Sequence, residues 1–144
     1  MYALNIGLDI HKTIDAYPSL FKFLTKTWIH TGYSVHIMTG ESGVTAIPQI
    51  NELSIQRTHF FSIIDYHRET NDVNVRQDNN GNIWMDEHTW NITKGEYARR
   101  NCIDVMFDDS EIYGQYFPST CTYIQIPPIG FEKVCKELGL IYNE

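Results

Sequence analysis

The segment LNIGLD at residues 4–9 is a short apolar run that ends in an acidic residue. A run of this length is typical of a buried strand. A helical pattern follows: Pro18 favours a first helical turn, apolar residues recur at helical spacing as far as Trp28, and Gly32 is a typical helix end. The segment SVHIMT at residues 34–39 predicts the second strand. Strand, helix and strand in this order predict a parallel sheet.

The alternation of strands and helices continues along the chain. A shorter helix is predicted around Ile50, and the run HFFSIID at residues 59–65 predicts a third strand. Residues 72–86 break the pattern, because they hold an Asn-Gly pair between apolar residues, which is typical of a β-hairpin. Asp86 is a suitable N-cap for the next helix, which should run to about Arg100. The remaining predicted elements are a fourth strand at residues 103–107, a fifth strand at residues 121–126 and a final short helix marked by Phe131, Val134, Cys135 and Leu138.

These elements predict one domain of the α/β class. We expect a Rossmann-like three-layer sandwich with a mainly parallel five-stranded sheet and a small β-hairpin insertion at about residues 72–86. The length of 144 residues fits a single domain that spans residues 1–144. Hydrophobic residues make up 42% of the chain, which is enough to bury a core and excludes a wholly disordered protein.

Charge and hydropathy disfavour several classes of protein. The formal net charge of −7 repels a polyphosphate backbone, which argues against extended nucleic-acid binding. No apolar run approaches the ~18 residues of a membrane helix, and no basic segment precedes the first apolar stretch as in a secretory signal. We therefore expect a cytoplasmic protein that does not enter the membrane, and the sequence leaves a homo-oligomer open. Cys102, Cys121 and Cys135 lack the spacing of a zinc site and are expected to be free, buried thiols.

Polar and charged residues occupy the carboxyl ends of four predicted strands. In parallel sheets, ligands bind beyond these ends, near the point where the strand order reverses. Residues from distant parts of the sequence should therefore meet there. They are Asp9 and His11 after the first strand, Thr39 and Gly40 after the second, Asp65 and His67 after the third, and Asp108 and Asp109 after the fourth.

Three of these carboxylates predict a site for a divalent cation. Asp9, Asp108 and Asp109 would repel one another if they met without a cation, and burial would make this worse. Oxygen ligands in this number suit Mg²⁺, which can also hold a phosphate in its coordination shell. The alternative is that strand-end acids only cap helices or lie in solvated loops.

Further residues are candidates for contacts with a substrate. Lys94 lies on a partly apolar face of its predicted helix, and its ammonium could reach the strand-end acids; the alternative is a lysine that extends into solvent. Gly40 and the residues after Thr39 could offer backbone N–H groups to a phosphate. Asp65 and His67 should face the same rim as substrate contacts, with a solvated loop as the alternative.

Four segments together resemble the motifs of the haloacid dehalogenase-like phosphatase superfamily. DIHKTI at residues 9–14 is similar to motif I, which reads Asp-x-Asp-x-Thr/Val-Leu/Val, and VHIMT at residues 35–39 is similar to motif II, a strand that ends in Thr or Ser. Lys94 resembles motif III, and IDVMFDD at residues 103–109 resembles motif IV. The four segments occur in the order of the family, and the fold pattern covers nearly the whole chain.

The resemblance implies a Mg²⁺-dependent phosphatase or phosphotransferase that acts on a phosphorylated small molecule or macromolecule. Asp9 would be the nucleophile and a Mg²⁺ ligand, and the backbone carbonyl of His11 would be a second ligand. Thr39 would bind the phosphoryl group, and Lys94 would stabilise the nucleophile and the developing charge. Asp108 and Asp109 would bind Mg²⁺ directly or through water. The short connections resemble those of members without a cap domain, with the hairpin and its Trp84 as a small lid or an ordinary surface hairpin.

The sequence departs from the family pattern at His11, where phosphatases of this superfamily have a second aspartate as general acid and base. An imidazole can protonate a leaving oxygen near neutral pH, so we treat His11 as a catalytic candidate. The first alternative is a catalytically impaired relative that binds a phosphorylated ligand or a protein partner. The second is an unrelated flavodoxin-like or receiver-like domain, which strand order would distinguish.

Overall fold

A computed structural model describes residues 2–127 and 137–139 of the chain. The elements in chain order are β1 (Asn5–Leu8), α1 (Pro18–Thr31), β2 (Ser34–Thr39), α2 (Gly43–Glu52), β3 (His59–Ser62), α3 (Ile63–Thr70), β4 (Arg76–Gln77), β5 (Ile83–Trp84), α4 (Glu87–Arg100), β6 (Val105–Asp108), α5 (Glu111–Gly114) and β7 (Thr122–Gln125). A tight loop at Ile10–Ile14 joins β1 to the segment before α1.

Five strands form one sheet in the order β3-β2-β1-β6-β7, and every neighbouring pair is parallel. From the central strand β1, the chain adds β2 and β3 on one side of the sheet. It then crosses over and adds β6 and β7 on the other side. The strand order therefore reverses between β1 and β6, which is where ligands bind in open α/β sheets. Flavodoxin-like and receiver-like domains have the order 2-1-3-4-5, so this sheet rules out that alternative.

The sheet separates two buried clusters of side chains, which makes the fold a three-layer sandwich. Ile6 and Leu8 of β1 pack in one cluster with Phe21 of α1. Side chains alternate across a strand, so Gly7 faces the opposite cluster, which contains Met38 and Met106. A Cβ atom at Gly7 would lie 2.6 Å from the Met106 sulfur, so the sheet is closely packed at its centre.

Most predicted elements are confirmed close to their expected bounds. β2 spans Ser34–Thr39, and α1 begins at Pro18. Gly32 ends α1 in the left-handed conformation, with φ of 99°, where a residue with a Cβ atom would be strained. Asp86 caps α4, because its carboxylate accepts a hydrogen bond from Thr89 N at 2.9 Å.

The predicted strand at residues 59–65 is wrong in its second half. β3 ends at Ser62, and α3 begins at Ile63. The hydroxyl of Ser62 accepts a hydrogen bond from Asp65 N at 3.1 Å, so Ser62 acts as a helix N-cap. Ile63 and Ile64 are buried in this helix, and a short apolar run cannot distinguish a buried strand from a buried helical turn.

The hairpin is confirmed as two antiparallel strands of two residues each, β4 and β5. Cys121 is free and buried as expected, whereas Cys102 was expected to be buried but is free and exposed, in a turn after α4 where its φ is 52°. The final helix predicted around Phe131, Val134 and Cys135 lies outside the described residues. Among the described residues, no helix combines the length and the apolar character needed to cross a membrane.

Candidate functional site

The centre of the candidate site lies where the ends of β1 and β6 meet. The pairing of β1 with β6 ends at Leu8 and Phe107. Beyond it, Asp9 N donates a hydrogen bond to Phe107 O at 3.0 Å. This pairing places the side chain of Asp9 beside Asp108, the last residue of β6. One carboxylate oxygen from each of Asp9, Asp108 and Asp109 lies within 4.8 Å of the corresponding oxygens of the other two. The three acids therefore converge at the reversal of strand order, as the strand-end pattern predicts.

Lys94 joins two of these carboxylates from the middle of α4. Its Nζ donates to Asp9 Oδ1 at 2.8 Å and to Asp108 Oδ2 at 2.9 Å. The lysine side chain is 2% exposed, and the carboxylate of Asp108 is fully buried. Lys94 therefore does not extend into solvent, and the alternative stated for it is wrong. Its ammonium also lies 5.1 Å from the centre of the Tyr113 ring, which adds a cation–π contact.

Burial and charge shift the protonation equilibria of this cluster. Burial raises the pKa of Asp9 to about 7; Lys94 opposes the rise, and the carboxylates of Asp108 and Asp109 add to it. Burial alone would lower the pKa of Lys94, but the carboxylates of Asp9 and Asp108 outweigh burial and raise it. The lysine is thus held in its charged form. A single ammonium faces three carboxylates, so the site keeps an excess of negative potential when they are ionised.

An open cleft of about 450 Å³ lies above this cluster. Thr39 is fully buried at the end of β2, and its hydroxyl accepts a hydrogen bond from Glu41 N at 3.3 Å. Gly40 has no room for a side chain, because a Cβ atom there would lie 2.5 Å from the Trp90 ring. The residues that line the cleft are Asp9, His11, Lys12, Thr39, Gly40, Glu41, Ile64, Trp90, Lys94, Asp109, Ser110 and Tyr113.

The loop after β1 turns His11 and Lys12 towards the cleft. Asp15 N donates to Ile10 O at 3.1 Å, and the Asp15 carboxylate accepts from Lys12 N at 2.6 Å. Lys12 has φ of 58°, an uncommon conformation for a residue with a side chain. Because these two hydrogen bonds close the loop, Asp15 is the residue that supports the unusual backbone.

His11 is held between two carboxylates at the mouth of the cleft. Its Nε2 lies 3.0 Å from Glu41 Oε1, and its Nδ1 lies 3.4 Å from Asp15 Oδ2. Partial burial acts to lower the pKa of His11, but Glu41 and Asp15 together outweigh it and raise the pKa above its ordinary value. The surroundings of His11 therefore favour an imidazolium, which is a proton donor.

Asp65 and His67 do not line the cleft, although a location after β3 predicted that they would face its rim. They lie on α3, because β3 ends early. The carboxylate of Asp65 accepts hydrogen bonds from Ser42 Oγ at 2.9 Å and from Gly43 N at 2.7 Å. His67 is buried, with Nδ1 2.8 Å from Asp72 and Nε2 2.8 Å from Thr93. Both residues connect helices, which is a structural role.

Several residues of the cleft were not identified from the sequence. Glu41 follows Gly40 directly. It would have been identified if the residues considered after the second strand had been extended by one position. Tyr113 lies on α5, a short helix that the sequence pattern did not predict and that Ser110 caps. The hydroxyl of Tyr113 accepts a hydrogen bond from Trp90 Nε1 at 2.6 Å, and the two rings form one wall of the cleft. No regular spacing marks this pair in the sequence.

The carboxylates retain free oxygen atoms that suit a hard cation. Lys94 occupies Asp9 Oδ1 and Asp108 Oδ2, and Ser110 N donates to Asp108 Oδ1 at 3.1 Å. In the described part of the chain, Asp9 Oδ2 accepts no hydrogen bond. Asp109 lines the cleft. Oxygen donors on one side of an open cleft fit Mg²⁺, which keeps several waters and binds through one or two carboxylates.

Comparisons with protein-family models, with curated proteins and with solved structures found no match. The function of the chain is therefore inferred from its own sequence and geometry.

Proposed function

We propose that this protein is a Mg²⁺-dependent phosphatase or phosphotransferase, that it acts through an aspartyl-phosphate on Asp9, and that it is related to the haloacid dehalogenase-like superfamily. One observation carries the proposal. A buried lysine bridges Asp9 and Asp108 at the reversal of strand order, in a cleft that also contains Thr39. These residue types match the four motifs in order, and a purely structural site has little reason to gather three acids, two of them buried, around one buried lysine.

Mg²⁺ is the cofactor of the proposal. Asp9, Asp109 and the His11 carbonyl would hold it, and Asp108 would support it through the lysine or through water. The fit rests on the excess of carboxylate over ammonium at the site and on Asp109, which lines the open side of the cleft. When bound, the ion would neutralise the phosphoryl oxygens and allow a carboxylate to approach phosphorus.

The protein residues have separate roles in the proposed reaction. Asp9 Oδ2 attacks phosphorus, a new bond forms between that oxygen and phosphorus, and the bond between phosphorus and the ester oxygen breaks. Lys94 holds the other oxygen of Asp9 and so orients the nucleophile. The hydroxyl of Thr39 donates a hydrogen bond to the phosphoryl group. Water then attacks the aspartyl-phosphate at phosphorus, which releases inorganic phosphate and restores Asp9.

His11 supplies the proton in this proposal. The ester oxygen leaves as an alkoxide unless a group donates a proton to it as the bond breaks. His11 lies at the mouth of the same cleft, and two carboxylates favour its charged form. After the proton leaves, the neutral imidazole can accept a proton from the attacking water. The role that the family gives to an aspartate would thus fall to an imidazole.

One observation favours a second candidate, an impaired relative that binds a phosphorylated ligand without turnover. Both nitrogens of His11 already face carboxylates, so the ring must leave Glu41 before it can donate to a substrate. Tight binding of phosphate with Mg²⁺, together with no turnover of any phosphoester, would favour this candidate over the enzyme.

The test is the hydrolysis of para-nitrophenyl phosphate with Mg²⁺ by the wild type and by Asp9→Asn. An amide is nearly isosteric with a carboxylate but is a poor nucleophile, so the turnover number should fall by about three powers of ten or more. Asp72→Asn makes the same exchange at a carboxylate outside the cleft and should keep the wild-type rate. Near wild-type turnover in Asp9→Asn would overturn the nucleophile assignment.

A further inference from the structure

A second cavity of about 420 Å³ lies next to the cleft, between α2, α3 and the β4–β5 hairpin. Gln77 of β4 and Ile83 of β5 form its outer wall, and Thr45 of α2 and Arg68 of α3 line the inner side. Cross-strand pairing places Gln77 opposite Ile83 on one face of the hairpin, and the next pair, Arg76 and Trp84, on the other face. The hairpin therefore turns one selected face towards the cavity.

The second cavity adjoins the cleft of the proposed active site. Glu41 and Ile64 line both spaces, so a molecule bound above Asp9 can extend past these two side chains into the second cavity. A phosphoester has two parts, the phosphoryl group and the group that leaves with the ester oxygen. With the phosphoryl group at Asp9 and Thr39, the second cavity lies in reach of the leaving group.

The lining of the second cavity indicates what kind of leaving group it fits. Arg68 brings an exposed guanidinium, and among the described residues it forms no ion pair, whereas Glu41, the carboxylate that also lines the cavity, already lies 3.0 Å from His11 Nε2. Thr45 adds a hydroxyl and Gln77 an amide, whose nitrogen donates to Gly81 O at 3.2 Å. Ile64 and Ile83 are apolar and suit a short carbon chain. An unpaired guanidinium beside hydrogen-bonding groups is suited to a carboxylate or a phosphate.

Resting on the proposed function, we propose that the second cavity is a specificity subsite: the natural substrate is a phosphomonoester whose leaving group carries a second anionic group, which binds Arg68. The short carbon chain between the two anionic groups lies along Ile64 and Ile83. Since the protein carries an overall charge of −7, a local cation is needed to attract a substrate of this kind.

Trp84 does not form the lid of this arrangement. Its side chain is 57% exposed, and its indole N–H donates to Asp78 Oδ2 at 3.1 Å within the hairpin. The indole thus stabilises the hairpin, and the wall of the cavity comes from Gln77 and Ile83. In this structure the face of the hairpin that lines the cavity is therefore the one that carries Gln77 and Ile83, not the one that carries Trp84.

The first test compares alkyl phosphates with and without a terminal carboxylate, in a series of increasing chain length. The readout is the ratio of kcat/KM between the carboxylated and the plain substrate for each chain length. In the wild type this ratio should reach about tenfold at one chain length, because a hydrogen bond to a charged group contributes on this scale. In Arg68→Gln the ratio should fall close to one at every length. A lower fraction of folded protein in a variant changes both kcat/KM values equally and therefore cancels in the ratio.

Arg76→Gln is the matched control, since it removes the same charge from the opposite face of the hairpin. It should keep the wild-type ratio. An equal fall of the ratio in Arg68→Gln and Arg76→Gln would overturn the subsite and indicate only a general effect of protein charge. A wild-type ratio of one at every chain length would overturn it as well.

A binding measurement separates failure of the subsite from failure of the proposed hydrolysis. The non-hydrolysable phosphonates of the same series are titrated into the protein with Mg²⁺ in a calorimeter. If no phosphate is hydrolysed but the carboxylated phosphonate binds about tenfold more tightly through Arg68, the subsite stands and the enzyme function falls. If both phosphonates bind the wild type equally, the subsite is wrong whatever the turnover.

Discussion

Lys94 Nζ donates to Asp9 Oδ1 at 2.8 Å across 85 positions of the sequence, and the lysine side chain is almost completely buried. The pair joins α4 to the carboxyl end of β1, so it depends on the whole central part of the fold. Breaking a buried ion pair by removing one partner leaves an uncompensated charge, which is far costlier than the loss of a surface pair. The candidate site is therefore coupled to the stability of the fold.

We predict that Lys94→Met lowers the free energy of unfolding by about 3 kcal/mol at neutral pH without Mg²⁺. The methionine fills a similar volume, but Asp9 and Asp108 are left without a cation. Urea denaturation measures the change, and Lys26→Met, at an exposed position of α1, should change little. A loss below about 1 kcal/mol in Lys94→Met would show that the lysine does not hold the acids together.

Mg²⁺ should raise the melting temperature of the wild type, because the ion binds only where folding brings the acids together. At a concentration of about 100 times its Kd, a ligand stabilises the folded state by about 2.7 kcal/mol. Asp9→Asn combined with Asp108→Asn should remove the shift, whereas Asp72→Asn should keep it. An unchanged shift in the double variant, measured by scanning calorimetry, would place the ion elsewhere.

Much of the candidate site could be predicted from the sequence, because parallel strands bring their carboxyl ends to one edge of the sheet. Asp9, Thr39 and Asp108 each follow or end a clear apolar run, and the structure brings all three to the candidate site. To predict the contact of Lys94 with the acids, the helix was needed as well as the strands, because the position of Lys94 on α4 directs its side chain towards them. The strand order itself came only from the structure.

The rest of the site could not be predicted, because the pattern of apolar residues along the sequence does not show whether a short segment forms a strand or a helix. The apolar run at residues 59–65 is compatible with a strand and with a helical turn. The N-cap hydrogen bond of Ser62 favours the helix. That change moved Asp65 and His67 into contacts between helices. Glu41 entered the cleft because the chain after Thr39 turns over the site, which is a property of tertiary structure.

His36 gives a prediction for the pH dependence of stability. It is buried on β2, with Nδ1 2.8 Å from the Tyr97 hydroxyl and its ring stacked on His59. Burial, and to a smaller degree His59, lower the pKa of His36 from 6.5 to about 4. Between these values the unfolded chain binds more protons than the folded protein, so stability rises with pH across this window.

Stabilisation from neutral His36 is thus complete above about pH 6.5 and is lost as pH falls towards 4. Between pH 7.5 and 4.5 we expect its contribution to fall by about 2 to 3 kcal/mol. His36→Asn keeps a polar side chain towards Tyr97 but gains no proton there, so its unfolding free energy should fall less over the same interval. Replacement of the exposed His30 by Gln is the control. Equal pH slopes in the wild type and His36→Asn would contradict the prediction.

The last prediction concerns His11, where the chain departs from the motif pattern of the superfamily that it resembles. If His11 donates the proton to the leaving oxygen, its importance depends on how much that oxygen needs the proton. An activated aryl phosphate releases a stable phenolate and needs little help, whereas an alkyl phosphate releases a strongly basic alkoxide. His11→Ala should therefore lower kcat on an alkyl phosphate by about a hundredfold and should change kcat on para-nitrophenyl phosphate much less.

The rival role for His11 is that only its backbone carbonyl matters, through Mg²⁺. That role predicts equal and small losses on both substrates, since alanine keeps the carbonyl. His11→Asp restores the residue of the family and should recover part of the alkyl phosphate rate that His11→Ala loses. Parallel losses on the two substrates in His11→Ala, with no recovery in His11→Asp, would assign proton donation to another group and strengthen the case for an impaired relative.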